Sequence, residues 1–413
     1  MQRINVRILQ INILIPKNKM IMFDNRFFNK SIYFIKRRIL FILHRLKGVG
    51  EIDDKLILFY SDTDYSDNSR VLYEYLLKNR PEYHYVWMLR KSDMPEERPK
   101  TEFVRLFNSV RSFSLLSKAK YVFHTHPIGN LFFPRKGQVV VNLWHGIPFK
   151  GIKGHVIKKK PPFDIMLCLG DNNIETTARF VGCDESYMRP WGYPRLDLLF
   201  SSRDVGKNNP FAPKDFSGKL ILWMPTFRKS IASHLSEMTC DNETGLPLLT
   251  SVDKLAKFNS FLKTINIVVI VKIHHLQASK EAFNTSYSNL IFLQDKEIAD
   301  KGYQLYEIVA KSDALLTDYS SVFADYLLMD RPMGFILDDL EAYKKSRGNF
   351  MFEPITDVLC GSHIHDYEQL KDFCKDISAG KDETIEFRNR IKKDMVKYPD
   401  GNNCKRLVEK LGI

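Results

Sequence analysis

Four segments of the chain share one pattern: an apolar run that reads as a buried strand ends, and reactive polar residues follow at once. The first is Asn142-Leu143-Trp144-His145-Gly146-Ile147-Pro148-Phe149-Lys150. Gly146 lets the backbone turn tightly and Pro148 stiffens the loop. His145 then stands at a strand end, where a neutral imidazole can take a proton from a hydroxyl near neutral pH. The plain alternative is a core histidine bonded to a neighbouring carbonyl. The second segment is Trp223-Met224-Pro225-Thr226-Phe227-Arg228-Lys229. Thr226 and Arg228 could grip phosphate, since guanidinium is a rigid fork of donors that matches phosphate oxygens; a solvated surface arginine is the alternative. The third is Val271-Lys272-Ile273-His274-His275, in which an extended chain puts Lys272 and His274 on one face, suited to an anion. The fourth is Leu316-Thr317-Asp318-Tyr319-Ser320-Ser321, followed by a helical pattern. Ser320 or Ser321 stands at the helix cap, as an anion site or as a plain cap. Lys344, Lys345 and Arg347-Gly348 add positive charge downstream.

Together these segments describe one base on one side of a cleft and a cluster of phosphate grips on the other. The chain has no GxxxxGK[ST] loop and no GxGxxG, so neither a P-loop nor a dinucleotide fingerprint is supported. It has no GxSxG elbow and no HExxH. Transfer from a nucleotide-diphospho donor fits what is left. Asp62-Thr63-Asp64 spells DxD, a pattern short enough to arise by chance, and His124-x-His126 and His363-x-His365 read as ordinary packing or surface histidines. No spacing builds a metal site, although Mg2+ carried on donor phosphates would leave no motif. Six scattered cysteines without a CxxC pair argue against a disulfide framework and fit a reducing compartment.

The elements that must position these residues alternate. Strands are expected at Lys55–Tyr60, Tyr85–Leu89, Tyr121–His124, Val139–Leu143 and Ile165–Leu169, with helices near Ser69–Lys78, Ser109–Lys118 and Asn172–Phe180. Residues 201–217, rich in Ser, Asn, Pro and charge, read as a linker. The rhythm then restarts with strands at Leu220–Trp223, Ile267–Ile273, Leu290–Leu293, Ala314–Leu316 and Gly334–Leu337, and helices at Val252–Thr264, Gln304–Lys311 and Ser321–Leu328. Near-continuous apolar strands alternating with helices imply parallel sheets covered on both faces. The expected architecture is α/β, with two doubly wound Rossmann-type domains facing a cleft, over residues 51–205 and 206–413. Ligands of such folds sit at the carboxyl ends of the strands.

A length of 413 residues fits two or three domains, and 44% hydrophobic residues are ample for cores. The net charge of +13 is concentrated: residues 1–50 hold eleven Lys or Arg and only Asp24 as an acid, while the rest carries 51 basic against 48 acidic side chains. The balanced body argues against nucleic acid as a partner. The arm is too charged to span a bilayer, which needs about 20 apolar residues. Read as a helix, residues 32–46 put Ile32, Ile35, Ile39, Ile42, Leu43 and Leu46 on one stripe, with Arg37, Arg38 and Arg45 largely opposite. A helix lying on an anionic membrane surface fits this pattern, and so does a helix packed on the body.

Order and spacing of these pieces resemble the CDP-glycerol glycerophosphotransferase family, the teichoic-acid primases and polymerases of bacteria, over about residues 55–410. The carriers are Trp144-His145-Gly146 with Pro148 and Lys150, Gly192-Tyr193-Pro194-Arg195 with Asp197, Pro225-Thr226-Phe227-Arg228, Lys272-Ile273-His274, Thr317-Asp318-Tyr319-Ser320-Ser321, Asp338 to Arg347-Gly348, and Asp400-Gly401 with Arg406. His275 departs from the proline usual there. The resemblance implies a GT-B fold and a peripheral enzyme of the cytoplasmic membrane face. It implies transfer of glycerol phosphate or ribitol phosphate from CDP-glycerol or CDP-ribitol to a lipid-linked glycan. His145 would be the general base and His274 would stabilise the donor pyrophosphate or departing CMP. Thr226, Arg228, Lys272, Asp318, Ser320, Ser321 and Arg347 would hold the donor. Trp144, Gly146, Lys150 and Arg195 would be acceptor-side or structural. A GT-B glycosyltransferase using a nucleotide sugar, and a binding protein with a degenerate cleft, stay open as alternatives.

Overall fold

A computed structural model describes residues 50–90, 100–106, 110–128, 134–151, 159–203, 209–226, 242–273, 283 and 285–413, without Gly348 and the side chains of Ser346 and Arg347. The basic arm with its expected helix, and Arg228 and His274, lie outside these residues.

Thirteen strands are described: β1 Asp53–Tyr60, β2 His84–Leu89, β3 Thr101–Arg105, β4 Ala119–His124, β5 Val139–Asn142, β6 Ile165–Leu167, β7 Met188–Arg189, β8 Lys219–Trp223, β9 Ile267–Lys272, β10 Leu290–Leu293, β11 Ala314–Thr317, β12 Met333–Ile336 and β13 Ser362–Ile364. They form two sheets, ordered β3-β2-β1-β4-β5-β6-β7 and β10-β9-β8-β11-β12-β13. All the described strand pairings within these sheets are parallel, for example Leu58 beside Val86 and Val122, and Leu222 beside Ile270 and Leu315. Each sheet winds outward in both directions from a central strand. That is two Rossmann-like halves, a GT-B-like architecture. The strands are buried on both faces, as β9 shows: Ile267 to Val271 are fully buried.

Most expected elements stand within two residues of their read bounds, and Val252–Thr264 stands on them. The segment read as one helix over Asn172–Phe180 is a 3-10 turn at Asp171–Asn173 followed by an α-helix at Ile174–Val181. The helix expected over Ser321–Leu328 is α-helical only at Val322–Tyr326 and tightens to 3-10 geometry at Leu327–Met329. Strands β3, β7 and β13, and the helices Leu340–Arg347, Tyr367–Ala379, Ile385–Met395 and Asn403–Leu411, were not read.

Packing and a shared helix help join the halves. The inner faces share one apolar cluster, and Phe149 from the loop after β5 sits in it with its ring 5.0 Å from Phe323 and 5.5 Å from Phe350. The last helix, Asn403–Leu411, leaves the second half and returns to the first. Its start is held by Asp197, whose carboxylate accepts from Asn403 N at 2.8 Å and Cys404 N at 2.8 Å. Gly192, at φ +79°, makes room for that helix: a Cβ there would stand 2.0 Å from Asn403 Oδ1.

Candidate active site

The carboxyl ends of the two sheets meet at the loop after β5. Asn142, the last residue of that strand, accepts from Trp144 N at 3.0 Å through Oδ1. Asn68, on the helix Asp67–Asn79, donates to Leu143 O at 3.3 Å and to Trp144 O at 2.8 Å. These bonds hold Trp144 in a left-handed conformation, φ +56°, which a non-glycine residue adopts only where its surroundings enforce it. The next turn needs glycine. Gly146 has φ +128°, and a Cβ there would stand 2.7 Å from Ser321 Oγ and 3.2 Å from Arg195 Nη2. The loop of the first half thus touches the start of the helix after β11 in the second.

His145 lies between these turns. Its Nδ1 is 3.2 Å from Thr125 O. A carbonyl only accepts, so the proton sits on Nδ1 and Nε2 keeps its lone pair. Burial first, then the neighbouring His126 and Arg195, push the His145 pKa down to about 4, against the raising effects of the Thr125 bond and Asp67. The imidazole is neutral at cellular pH. Its ring is 4.1 Å from the Trp144 ring, centroid to centroid.

Arg195 ties this loop to both halves. One guanidinium nitrogen donates to Asp67 Oδ1 at 2.9 Å and Oδ2 at 3.1 Å. The other donates to His145 O at 2.9 Å and to Asp325 Oδ2 at 2.7 Å. The Tyr306 hydroxyl also donates to Asp325, and the Arg195 guanidinium lies 4.6 Å from the Tyr306 ring centre. Arg195 is 6% exposed and Asp325 fully buried. Burial works against the Arg195 charge, but Asp67, Tyr306 and Asp325 outweigh it and raise its pKa further. Arg195 is therefore a buried cation that fastens the first half to the second.

On the second half, Thr226 follows β8 and Asp318 follows β11. Asp318 is fully buried and accepts from Thr226 N at 2.8 Å and from the Thr226 hydroxyl. Both residues are engaged in pinning one loop end to the other. Lys272, at the end of β9, is paired with Asp295 Oδ1 at 3.0 Å and donates to Ile273 O at 3.1 Å. Ser321 stands at the cap of Val322–Tyr326 without a side-chain cap bond. Tyr319 is anchored by its hydroxyl to Asp339 Oδ1 at 2.8 Å.

What the fold brings together is therefore compact. Trp144, His145, Gly146 and Lys150 from the first half, with Tyr319, Ser320 and Ser321 from the second, line a cavity of about 210 Å³. Thr226, Lys272, Asp318 and Arg195 stand outside its lining, the last directly behind it. The roles read for Arg228, His274 and Arg347 fall on atoms outside the described residues. Four residues in this site were missed from the sequence: Asn68, Asp67, Thr125 and Asp325. Only Asp325 carried a signal, a lone carboxylate in the apolar run Val322–Leu328. Asp62 and Asp64 hold Arg90, at 2.7 Å to its guanidinium and 2.8 Å to its backbone nitrogen. Among the described residues, no group of three or more His, Cys, Asp or Glu could hold a metal ion, and no helix is long and apolar enough to cross a membrane.

Comparison with known proteins gives a consistent result. A family model described as CDP-Glycerol:Poly(glycerophosphate) glycerophosphotransferase matches residues 40–412. The chain is 26% identical over 379 residues to the teichoic acid ribitol-phosphate polymerase TarK of Staphylococcus aureus, covering 86% of this chain and 68% of that protein. It is 25% identical over 379 residues to the teichoic acid ribitol-phosphate primase of Bacillus spizizenii, covering 86% and 90%. A teichoic acid poly(glycerol phosphate) polymerase of Staphylococcus epidermidis is 24% identical, and the chain spans 48% of its length. The solved wall teichoic acid polymerase TagF superposes with a TM-score of 0.71 at 21% identity, over 94% of this chain and 98% of that one.

Proposed function

We propose a function from one premise: the chain belongs to the CDP-Glycerol:Poly(glycerophosphate) glycerophosphotransferase family. Its members among the relatives above are named as enzymes that polymerise or prime glycerol or ribitol phosphate. In our reading, this chain transfers a polyol phosphate from CDP-glycerol or CDP-ribitol to a hydroxyl of a lipid-linked glycan and releases CMP. It does so as a peripheral protein at the cytoplasmic membrane face, with the arm of residues 1–50 supplying eleven cations toward anionic lipid.

The single observation behind this reading is His145. It is neutral, its Nδ1 proton is committed to Thr125 O, and it lines a cavity whose opposite wall is Ser320 and Ser321. The acceptor hydroxyl gives its proton to Nε2 as its oxygen attacks the phosphorus next to the polyol. The bond from that phosphorus to the CMP oxygen breaks, and CMP leaves with the electron pair. Ser320 and Ser321 bind the donor phosphates, joined by Arg228, His274 and Arg347. Thr226, Asp318 and Lys272 shape the loop ends that present these groups. Positioning and charge stabilisation carry most of such a reaction.

The test is CMP release from CDP-glycerol, CDP-ribitol and UDP-glucose by the purified full chain, with a short-chain prenyl-diphosphate-linked glycan as acceptor. His145→Ala should lower turnover by about 10²- to 10⁴-fold with donor binding retained. Turnover with UDP-glucose alone, or undiminished turnover in the variant, would sink the reading.

A further inference from the structure

The proposed function leaves the His124-x-His126 pair unused, yet His126 lies flat on His145. The ring centroids are 4.4 Å apart and the planes differ by 3°. Thr125 orients both rings: its hydroxyl is 3.0 Å from His126 Nδ1, and its carbonyl accepts from His145 Nδ1. Behind them His124, 2% exposed, places its own Nδ1 3.0 Å from His126 O and so fixes the backbone of the pair. The charged groups that act on His126 come from four places: Asp62 in the loop after β1, Asp67 at the start of the next helix, Arg90 after β2, and Arg195. The carboxylates favour its protonation, while burial and the two arginines oppose it, and the balance lowers its pKa.

We propose that His126 is a positioning residue for His145, holding the plane of the imidazole and, while neutral, offering its face to the imidazolium that forms when Nε2 takes the acceptor proton. This rests on His145 being the base. An aromatic face attracts a cation, and in a half-buried site the attraction is larger than in water. A protonated ring at the same distance repels it. The stacked pair therefore works with one charge and fails with two, so a charge on His126 opposes the protonation of His145 that the reaction needs.

The experiment uses the full chain and four variants, His126→Ala, His126→Phe, His126→Lys and His145→Ala, each shown to fold by thermal melting. CMP release from CDP-glycerol is measured with the prenyl-diphosphate-linked glycan acceptor across pH 5 to 8. His126→Ala should lose about 3- to 30-fold in kcat with the donor KM unchanged. His126→Phe, which keeps a stacked ring, should recover kcat to within about threefold of the parent. His126→Lys, a fixed charge, should fall below His126→Ala throughout. A role in packing alone would leave kcat of His126→Ala near the parent once the variant is shown to fold. Equal rates for His126→Phe and His126→Lys, or His126→Ala within twofold of the parent, would overturn the proposal while loss in His145→Ala left the base assignment standing. Full turnover by His145→Ala would overturn both.

Discussion

Replacing Arg195 by methionine removes four charge-assisted hydrogen bonds at once, two to Asp67, one to Asp325 and one to the His145 carbonyl. Asp67 can turn to water, but Asp325 is fully buried and has no such option. Removing one partner of a buried pair costs about 3–5 kcal/mol, because the remaining charge is left uncompensated. Urea unfolding followed by tryptophan fluorescence would read that deficit. Its pH dependence has a definite sign. Burial already raises the Asp325 pKa, with Arg195 the main opposing influence. Without Arg195 the folded state holds the proton on Asp325 to higher pH than the unfolded chain, whose ordinary value is about 3.9. The folded state then binds more protons than the unfolded one, so stability falls as pH rises above about 4. The deficit should therefore be largest near pH 8 and shrink toward pH 5. A second change, Asp325→Leu in the same chain, should recover much of the loss, since buried ion pairs are often replaceable by apolar residues. Activity should not recover, because the His145 carbonyl has still lost its donor. A deficit under about 1 kcal/mol, one that grows on acidification, or a double variant no more stable than the single would refute the reasoning.

Two further outcomes are expected. With the His145 pKa at about 4, the free-enzyme acid limb contributed by this group should lie well below the ordinary histidine value of about 6.5, and 13C-labelled imidazole should report the same titration by NMR; a midpoint above 6 would contradict the burial described. Gly146→Ala must both accept φ +128° and push Ser321 Oγ from 2.7 Å, so it should lose about 1–3 kcal/mol of stability and most of the turnover, read by melting and CMP release; an active, equally stable variant would mean that the two halves do not meet there.

How much of this was legible in the sequence follows from the range of each interaction. Strands such as Ile267–Lys272 and helices such as Val252–Thr264 announce themselves through short-range periodicity and caps, here Ser251 accepting from Lys254 N. The position of His145 at a strand end was legible for the same reason. Its neighbours were not. Thr125 lies 20 residues away, and Arg195 reaches Asp325 across 130 residues. Nothing local to Thr125 or Asp67 marks them as partners. Short strands such as Met188–Arg189 carry too few residues for a period to show, and they exist because β6 offers them an edge.

The last helix also sets the order in which the protein can be completed. Asp197 waits for Asn403 and Cys404, 206 and 207 residues downstream, and Arg80 donates to Ile413 O at 3.1 Å. At synthesis rates of about 5–20 residues per second, the first half stands unfinished on the ribosome for roughly 10–40 s after Asp197 emerges. During that interval its pocket for the final helix is open apolar surface. The half that is made first therefore keeps this surface open longest, and a chain cut between residues 205 and 206 should leave it uncovered in the N-terminal piece.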